Sequence, residues 1–470
     1  MERQFLNRER ELAALERLYQ TDGAQLLIVY GRRRVGKTAL LRAFLKDKPH
    51  IYHLCARLPE QEQLRHLGEA VGRFFHDPLL EENGFREWRQ VFDYLSRRAE
   101  RFALVVDEYP YLAEANPATG SLWQKGWDER LKDSRIFLVL MGSSISMMEQ
   151  ETLEARAPLY GRRTGQLRLE PLAFRHARQF FPSFDFPDQL RAYSILGGIP
   201  YYLERFESGL SLRENLLRHI LDISAVMREE AEILLREELQ QPRIYFSILN
   251  AIAQGKRKLG EITNATALPH GTLTKYLSIL RDLRLVQRET PALEEAPLKS
   301  KKGLYRIQDP YVHFWFRFVF RYLDRLEQGE EEWVADRIME SLDRHSAGFY
   351  EDVCVQAVRE GLLDAHFPER YRSAGRWWNR NEEIDVVGID EEGQTILFGE
   401  CKWSAQPVGL EVLDRLIHKA GLVPALGLRP REKRYVLFSR SGHTGEVIRH
   451  AQGQRGIVLV EGLDPLNLNP

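Results

Sequence analysis

Hydrophobic and polar positions divide the chain into segments of two kinds. In the first half, short unbroken apolar runs alternate with longer stretches of helical spacing. The runs AQLLIVYG, FALVVDE and RIFLVLMGSS show no inside–outside alternation, so each predicts a strand covered on both faces. Strands alternating with helices predict an α/β fold built on a parallel sheet. From about Pro171 to Glu238 the spacing is helical throughout. Near Pro242 three compact helical patterns begin, IYFSILNAIAQG, LGEITNAT and GTLTKYLSILRDLRLV, with a sharp turn at LPHG. In the third, Leu273, Leu277, Leu280 and Leu283 keep helical spacing and predict one buried face. Its other face carries Thr272, Lys275, Tyr276 and Arg281. The polar stretch ETPALEEAPLKSKKG then predicts a wing or linker. Beyond the aromatic segment YRIQDPYVHFWFRFVFRYLDRL, the last part reads helix, strand–turn–strand around Gly393, helix, and two more strands, KRYVLFSRSG and GIVLVEG. The expected segments are 1–170, 171–238, 239–303 and 304–470.

Bulk composition narrows the picture only a little. A chain of 470 residues has room for two to four separate cores. With 43% hydrophobic and 29% charged residues it has ordinary globular composition. The net charge is -1, so any nucleic-acid-binding surface must be local and balanced elsewhere. Cys55, Cys354 and Cys401 lie far apart, which excludes a disulfide framework and a CxxC zinc site. The charged start lacks an apolar signal core, and no apolar run reaches membrane-spanning length. The expectation is a cytoplasmic protein with no membrane partner.

The first chemistry-bearing segment is YGRRRVGKTALL, which fits GxxxxGK[ST] between a strand and a helix. Glycine lets backbone N–H groups curl around phosphates, and the helix N-terminus adds favourable partial charge. The predicted nucleotide-binding residues are Gly31, Arg32, Arg33, Arg34, Val35, Gly36, Lys37, Thr38 and Ala39. Lys37 would reach the β- and γ-phosphates, and Thr38 would help hold Mg²⁺. The run LVVDEYPYL adds Asp107 for the Mg²⁺ shell and Glu108 to polarise the attacking water. The third strand ends in GSS, where Ser143 or Ser144 places a hydroxyl near the γ-phosphate, or merely turns the chain. Arg162 and Arg163 in LYGRRTG would stabilise transition-state charge, within one chain or across a homo-oligomer interface, or are surface arginines; Arg163 is counted with the nucleotide site. LGGIPYYL predicts a tight turn at Gly197, Gly198 and Pro200.

Together, FLNRERELAAL, GRRRVGKTALL, LVVDEYPYL, GSSISMM, LYGRRTG and GGIPYYL resemble the archaeal-type ATPase family, part of the STAND-like branch of the AAA+ superfamily, over about the first 235 residues. The resemblance implies ATP as cofactor and places the Gly-Gly-Ile-Pro turn near the adenine, with Pro200 making a contact. It also implies that 1–170 is the ATPase core and 171–238 a helical lid. The three-helix unit resembles a winged helix-turn-helix, a module that contacts either DNA or protein.

Near the C-terminus, strand alternation puts Glu400 and Lys402 on one face, and a DEEG turn lets the strand of Asp385 pair antiparallel with theirs. Two carboxylates and an amine would then converge. Carboxylate oxygens suit Mg²⁺ or Mn²⁺, Cys401 would add its backbone carbonyl, and Lys402 would position a nucleophile or stabilise a transition state. An acid-x-Lys triplet alone recurs by chance; its setting between strands and helices carries the signal. This segment resembles the PD-(D/E)XK nuclease fold, which carries over Glu351, Asp385, Glu400 and Lys402 as catalytic residues. The first acid lies in EID where Pro-Asp is common. Trp377, Trp378 and Arg380 flank it, to stack bases, grip a backbone, or pack in the core. The expected activity is an ATP-regulated, metal-dependent nuclease acting on nucleic acid, taken as DNA. The alternatives are a signalling ATPase whose last domain only binds, and a transcriptional regulator.

Overall fold

A computed structural model describes residues 7–239, 241–294, 296–423, 432–452 and 454–466. Phe5 and Leu6 of the FLNRERELAAL motif and Glu295 of the expected wing lie outside the described residues. The chain forms two compact units, one comprising Met1–His176 with Gly198–Tyr201, the other Ala177–Gly197 with Tyr202–Pro470.

The first unit is a five-stranded, all-parallel sheet of β1 (Gln25–Tyr30), β2 (His50–Leu54), β3 (Ala103–Asp107), β4 (Phe137–Gly142) and β5 (Gly165–Arg168). Its order is β2-β3-β4-β1-β5. The three apolar runs became β1, β3 and β4, and every residue of these strands is buried. That is why their sequences show no alternation: a parallel strand with helices on both sides has no solvent face. The edge strands β2 and β5 escaped the hydrophobic pattern because they are only partly covered. Parallel pairing brings the ends of β1, β3 and β4 side by side, which is where a doubly covered sheet presents ligand-binding groups.

In the second unit, helices Pro242–Ala253, Leu259–Thr266 and His270–Asp282 form the three-helix motif. Leu273, Leu277, Leu280 and Leu283 are buried as the spacing predicts, while Thr272, Lys275 and Arg281 are exposed. Tyr276 is half-buried and donates to Gln241 Oε1 at 2.9 Å. A hairpin of β6 (Val286–Glu289) and β7 (Leu304–Ile307) completes the wing. The wing therefore runs past the expected boundary at 303, because β7 has its hydrogen-bonding partner in β6. The polar stretch between them is no free linker: Ala292 N–H donates to the Arg376 carbonyl at 2.6 Å, and Trp378 Nε1 donates to the Lys302 carbonyl at 3.3 Å.

Besides helices, this unit contains a six-stranded mixed sheet of β8 (Gly375–Trp378), β9 (Glu383–Ile389), β10 (Thr395–Lys402), β11 (Glu432–Ser439), β12 (Ile457–Glu461) and β13 (Asp464–Pro465), in reverse sequence order from β13 to β8. β9 and β10 pair antiparallel, and β10, β11 and β12 run parallel. The 29-residue helix Glu331–Arg359 packs against β9 and β10 on the way to the site. Trp377 is buried in the core of this sheet, which settles its place among the alternatives above. Among the described residues no helix is long and apolar enough to cross a membrane.

Packing in the first unit is tight enough to test. Gly126 lies inside helix Thr119–Glu129, and a Cβ there would overlap the buried Phe92 ring. Gly126→Ala is expected to destabilise this unit by about 1–3 kcal/mol through overpacking, read as a lower urea midpoint.

Candidate functional site

The segment between β1 and helix Lys37–Leu45 is shaped by positions that few residue types can occupy. Gly36 adopts φ +100°, a conformation other residues rarely take. At Gly31, with φ +150°, a Cβ would lie 2.5 Å from the Leu169 carbonyl oxygen. The turn thus folds tightly against the end of β5 and leads its backbone into the helix N-terminus. Lys37 is 6% exposed. Its ammonium donates to the carbonyls of Gly31 at 2.8 Å and Arg32 at 3.1 Å, and to Ser143 Oγ at 3.0 Å.

β3 and β4 supply the facing groups. Asp107 is buried and accepts from Tyr52 Oη at 2.5 Å and from the Glu108 N–H at 2.9 Å. Burial raises the Asp107 pKa, with the Glu108 charge adding to the rise and the Tyr52 hydrogen bond opposing it. The Tyr52 hydroxyl lies near Thr38 as well as Asp107. That arrangement fits a small divalent cation between them, since both are hard oxygen donors. Glu108 sits at φ 54°, which costs about 1–2 kcal/mol for a non-glycine residue. Two hydrogen bonds hold it there, from Ser143 Oγ to Oε1 at 2.5 Å and from Ser143 N–H to Oε2 at 3.1 Å. The structure therefore brings Lys37, Thr38, Asp107, Glu108 and Ser143 together, and selects Ser143 over Ser144, whose hydroxyl lies 3.4 Å from Ser146.

The other expected residues are placed as follows. Val35 is buried and its carbonyl faces inward, while Arg33 and Ala39 are exposed. Arg34 lies over the Tyr201 ring at 4.1 Å, which ties the Gly-Gly-Ile-Pro turn and Pro200 to the phosphate loop. Arg162 is ion-paired with Asp128 at 2.9 Å, and Arg163 donates to the carbonyls of Tyr160 and Thr152 at 3.1 and 3.3 Å. Neither arginine has a described bond to the loop residues. Three contributors were not singled out from the sequence. Tyr52 lies on the unmarked edge strand β2, and Tyr201 follows the noted proline. Arg8, 6% exposed, sits within the noted N-terminal motif; it donates to the carbonyls of Val35 at 3.2 Å and Glu170 at 2.9 Å and pairs with Glu11 at 2.8 Å.

The second constellation depends on register. β9 and β10 pair as far as Gly399 with Val386, and Glu400 and Asp385 are the adjoining residues on the two strands. Asp385 Oδ2 accepts from the Cys401 N–H at 2.8 Å. Lys402 Nζ donates to Glu400 Oε1 at 2.7 Å, and Lys419 Nζ lies 3.3 Å from both Glu400 oxygens. Glu351, on the long helix, pairs with Arg376 at 2.8 Å. The Asp385 pKa is pushed up to about 7 by burial, then by the charges of Glu351 and Glu400. Burial also raises Glu351, against the pull of Arg376. At Lys402 burial works against the charge, and the Glu400 hydrogen bond keeps its pKa above the usual value. Among the described residues, no three His, Cys, Asp or Glu side chains form a metal-holding group. What the strands bring together is a carboxylate pair beside two lysines. Lys419 lies on the helix Leu410–Ala420, whose spacing alone did not aim it at Glu400.

Comparisons with known proteins place this geometry. Residues 5–206 match the model of an ATPase domain found predominantly in Archaea. Residues 246–288 match the bacterial regulatory proteins of the arsR family, and residues 315–412 match archaeal and bacterial proteins of unknown function. An uncharacterized protein of Methanocaldococcus jannaschii, MJECL04, is 34% identical over 444 residues, covering 93% of this chain and 95% of its own. An uncharacterized ATP-binding protein of the same organism, MJ0423, is 54% identical over 44 residues, 9% of this chain and 75% of its own. Among solved structures, the Walker-type ATPase PABY2304 of Pyrococcus abyssi aligns with a TM-score of 0.51 at 23% identity, covering 66% of this chain and 96% of that one.

Arg8→Ala would leave the inward Val35 and Glu170 carbonyls short of a donor. The expected cost is about 1–3 kcal/mol, read as a lower thermal midpoint for the first unit.

Proposed function

Because this chain belongs to the archaeal-type ATPase family, we propose that it is an ATP-binding and hydrolysing switch that regulates a metal-dependent nuclease acting on DNA. ATP would sit with its phosphates on the loop from Gly31 to Ala39 and its base beside the Pro200–Tyr201 turn. Thr38 and Asp107 would hold Mg²⁺. Glu108, kept in a left-handed conformation by Ser143, would orient the attacking water. Ser143 links Lys37 to Glu108. A γ-phosphate drawn to Lys37 would compete with Ser143 for the ammonium and so be felt at Glu108.

The observation that carries the nuclease half is that Asp385 and Glu400 directly adjoin the Val386–Gly399 pair on neighbouring antiparallel strands, with Lys402 bonded to Glu400. Asp385, Glu400 and the Cys401 carbonyl offer hard oxygen donors. A Mg²⁺ or Mn²⁺ ion there would be completed by water and a substrate phosphate, as is usual for an ion with only one or two protein carboxylates. Such an ion supplies Lewis-acid stabilisation of a phosphodiester. Lys402 would hold the nucleophile, with Glu351 outside the first set of donors and tied to Arg376. The winged helix, with Thr272, Lys275 and Arg281 exposed, would dock on the nucleic acid. A second reading keeps the ATPase and makes the last domain a binding module only. It draws support from Glu400, whose two lysine partners already neutralise it.

Plasmid and single-stranded DNA incubated with Mg²⁺ or Mn²⁺ separate the two readings. The wild-type chain is expected to cleave, and Lys402→Ala to lose at least about 10²-fold in rate. Identical products from both proteins would leave the binding-only reading. In the first unit, Glu108→Gln is expected to retain ATP binding and to lower turnover by about 10²–10⁴-fold; Lys37→Ala should weaken binding itself. Equilibrium dialysis and phosphate release distinguish the two effects.

A further inference from the structure

A cavity of about 460 Å³ opens in the second unit beside the candidate cleavage centre. Its walls come from the end of helix Pro242–Ala253, the aromatic segment, the long helix Glu331–Arg359 and the start of the last sheet. Six guanidinium groups and three carboxylates line it. They fall into two sets. Arg376 pairs with Glu351 at 2.8 Å and Asp352 at 3.1 Å, Arg306 with Asp352 at 2.6 Å, and Arg257 with Glu289 at 3.0 Å. Arg317, Arg321 and Arg344 have no ion pair among the described residues. They lie close enough for Arg344 and Arg321 to add to the burial that lowers the Arg317 pKa. Like charges held together at a half-buried position are unfavourable unless an anion joins them.

Buried ring and guanidinium nitrogens of several wall residues, His345 and Arg376 among them, also have no hydrogen bond. His345 is 2% exposed; its Nε2 meets the Ser194 carbonyl at 2.9 Å, and its Nδ1 has no hydrogen bond. Arg376, with a side chain 8% exposed, leaves its Nε unpartnered. Buried polar atoms normally find partners, so the wall of this cavity carries more donor capacity than the protein itself satisfies. A bound group supplying several acceptor oxygens meets the guanidinium donors in the geometry that favours arginine for phosphate. A cavity of this volume has room for one nucleotide.

We propose that this cavity is a phosphate-anchoring pocket for a nucleoside phosphomonoester, and specifically for the 5′-phosphorylated end of a single nucleic-acid strand. The proposal deepens the nuclease reading, on which the identity of the ligand as substrate rests. Binding itself needs neither metal nor cleavage.

The test is fluorescence anisotropy in EDTA with the full chain carrying Lys37→Ala, which removes the phosphate-loop lysine as a competing anion site. Labelled hexathymidylate is offered with a 5′-phosphate or a 5′-hydroxyl, and unlabelled thymidine monophosphate is used as competitor. The 5′-phosphate is expected to tighten binding at least about tenfold, and Arg317→Ser with Arg344→Ser to abolish that difference. Arg344→Glu alone, at an exposed position, should reduce it severalfold and guards against a folding defect in the double variant. Equal affinity for both oligonucleotides, unchanged by either variant, overturns the pocket. Tight binding of the monophosphate with no 5′-phosphate preference in the oligonucleotide overturns the strand-end assignment. A pocket that binds as expected while the chain cleaves nothing separates failure of the nuclease reading from failure of this one.

Discussion

The ammonium of Lys37 is almost wholly removed from water, and three oxygens answer it: two loop carbonyls and the Ser143 hydroxyl. A buried charge without such partners costs several kcal/mol, so this requirement organises the first unit. It pins the loop from Gly31 to Gly36 over the end of β1. It draws the end of β4 toward that loop, and through Ser143 it holds Glu108 in an unfavourable backbone conformation. The same serine that stabilises the amine positions the carboxylate. Arg8 extends the pattern, with its guanidinium fastening the Val35 carbonyl from the opposite side.

The second unit obeys the same constraint with different materials. Asp385, Glu400 and Glu351 bring three acids close together, and Lys402, Lys419 and Arg376 balance them from β10, a helix and β8. The balance is incomplete at Asp385, whose only described hydrogen bond comes from the Cys401 backbone N–H. Positive charge is in surplus a short way off, at Arg317, Arg321 and Arg344. The acid pair and the unmatched guanidiniums thus leave opposite charge uncompensated at two neighbouring places.

Much of this was visible in the residue order, and for identifiable reasons. The buried strands β1, β3 and β4 are continuous apolar runs, and GxxxxGK[ST] needs only a contiguous stretch of chain, so both were legible. The helix-turn-helix was legible because Leu273, Leu277, Leu280 and Leu283 repeat with a helical period. Edge strand β2 was not legible, since half its side chains reach solvent, and with it went Tyr52. The extent of the wing was hidden for another reason: β7 is defined by its hydrogen bonds to β6, fifteen or more residues earlier, and no local property marks them.

Sequence by itself determined which local backbones form, where a phosphate-binding turn lies, and which acids and amines share a strand face, because these depend on neighbours within a few residues. It also pointed to the antiparallel hairpin of β9 and β10, since a short turn joins the two strands. Tertiary structure alone decided which of Ser143 and Ser144 meets Lys37, and that Arg162 is engaged by Asp128. It alone gathered Arg317, Arg321, Arg344 and His345 around one cavity. Those outcomes depend on where distant segments pack, and electrostatic compensation across 30 to 150 residues leaves no periodic trace in the chain.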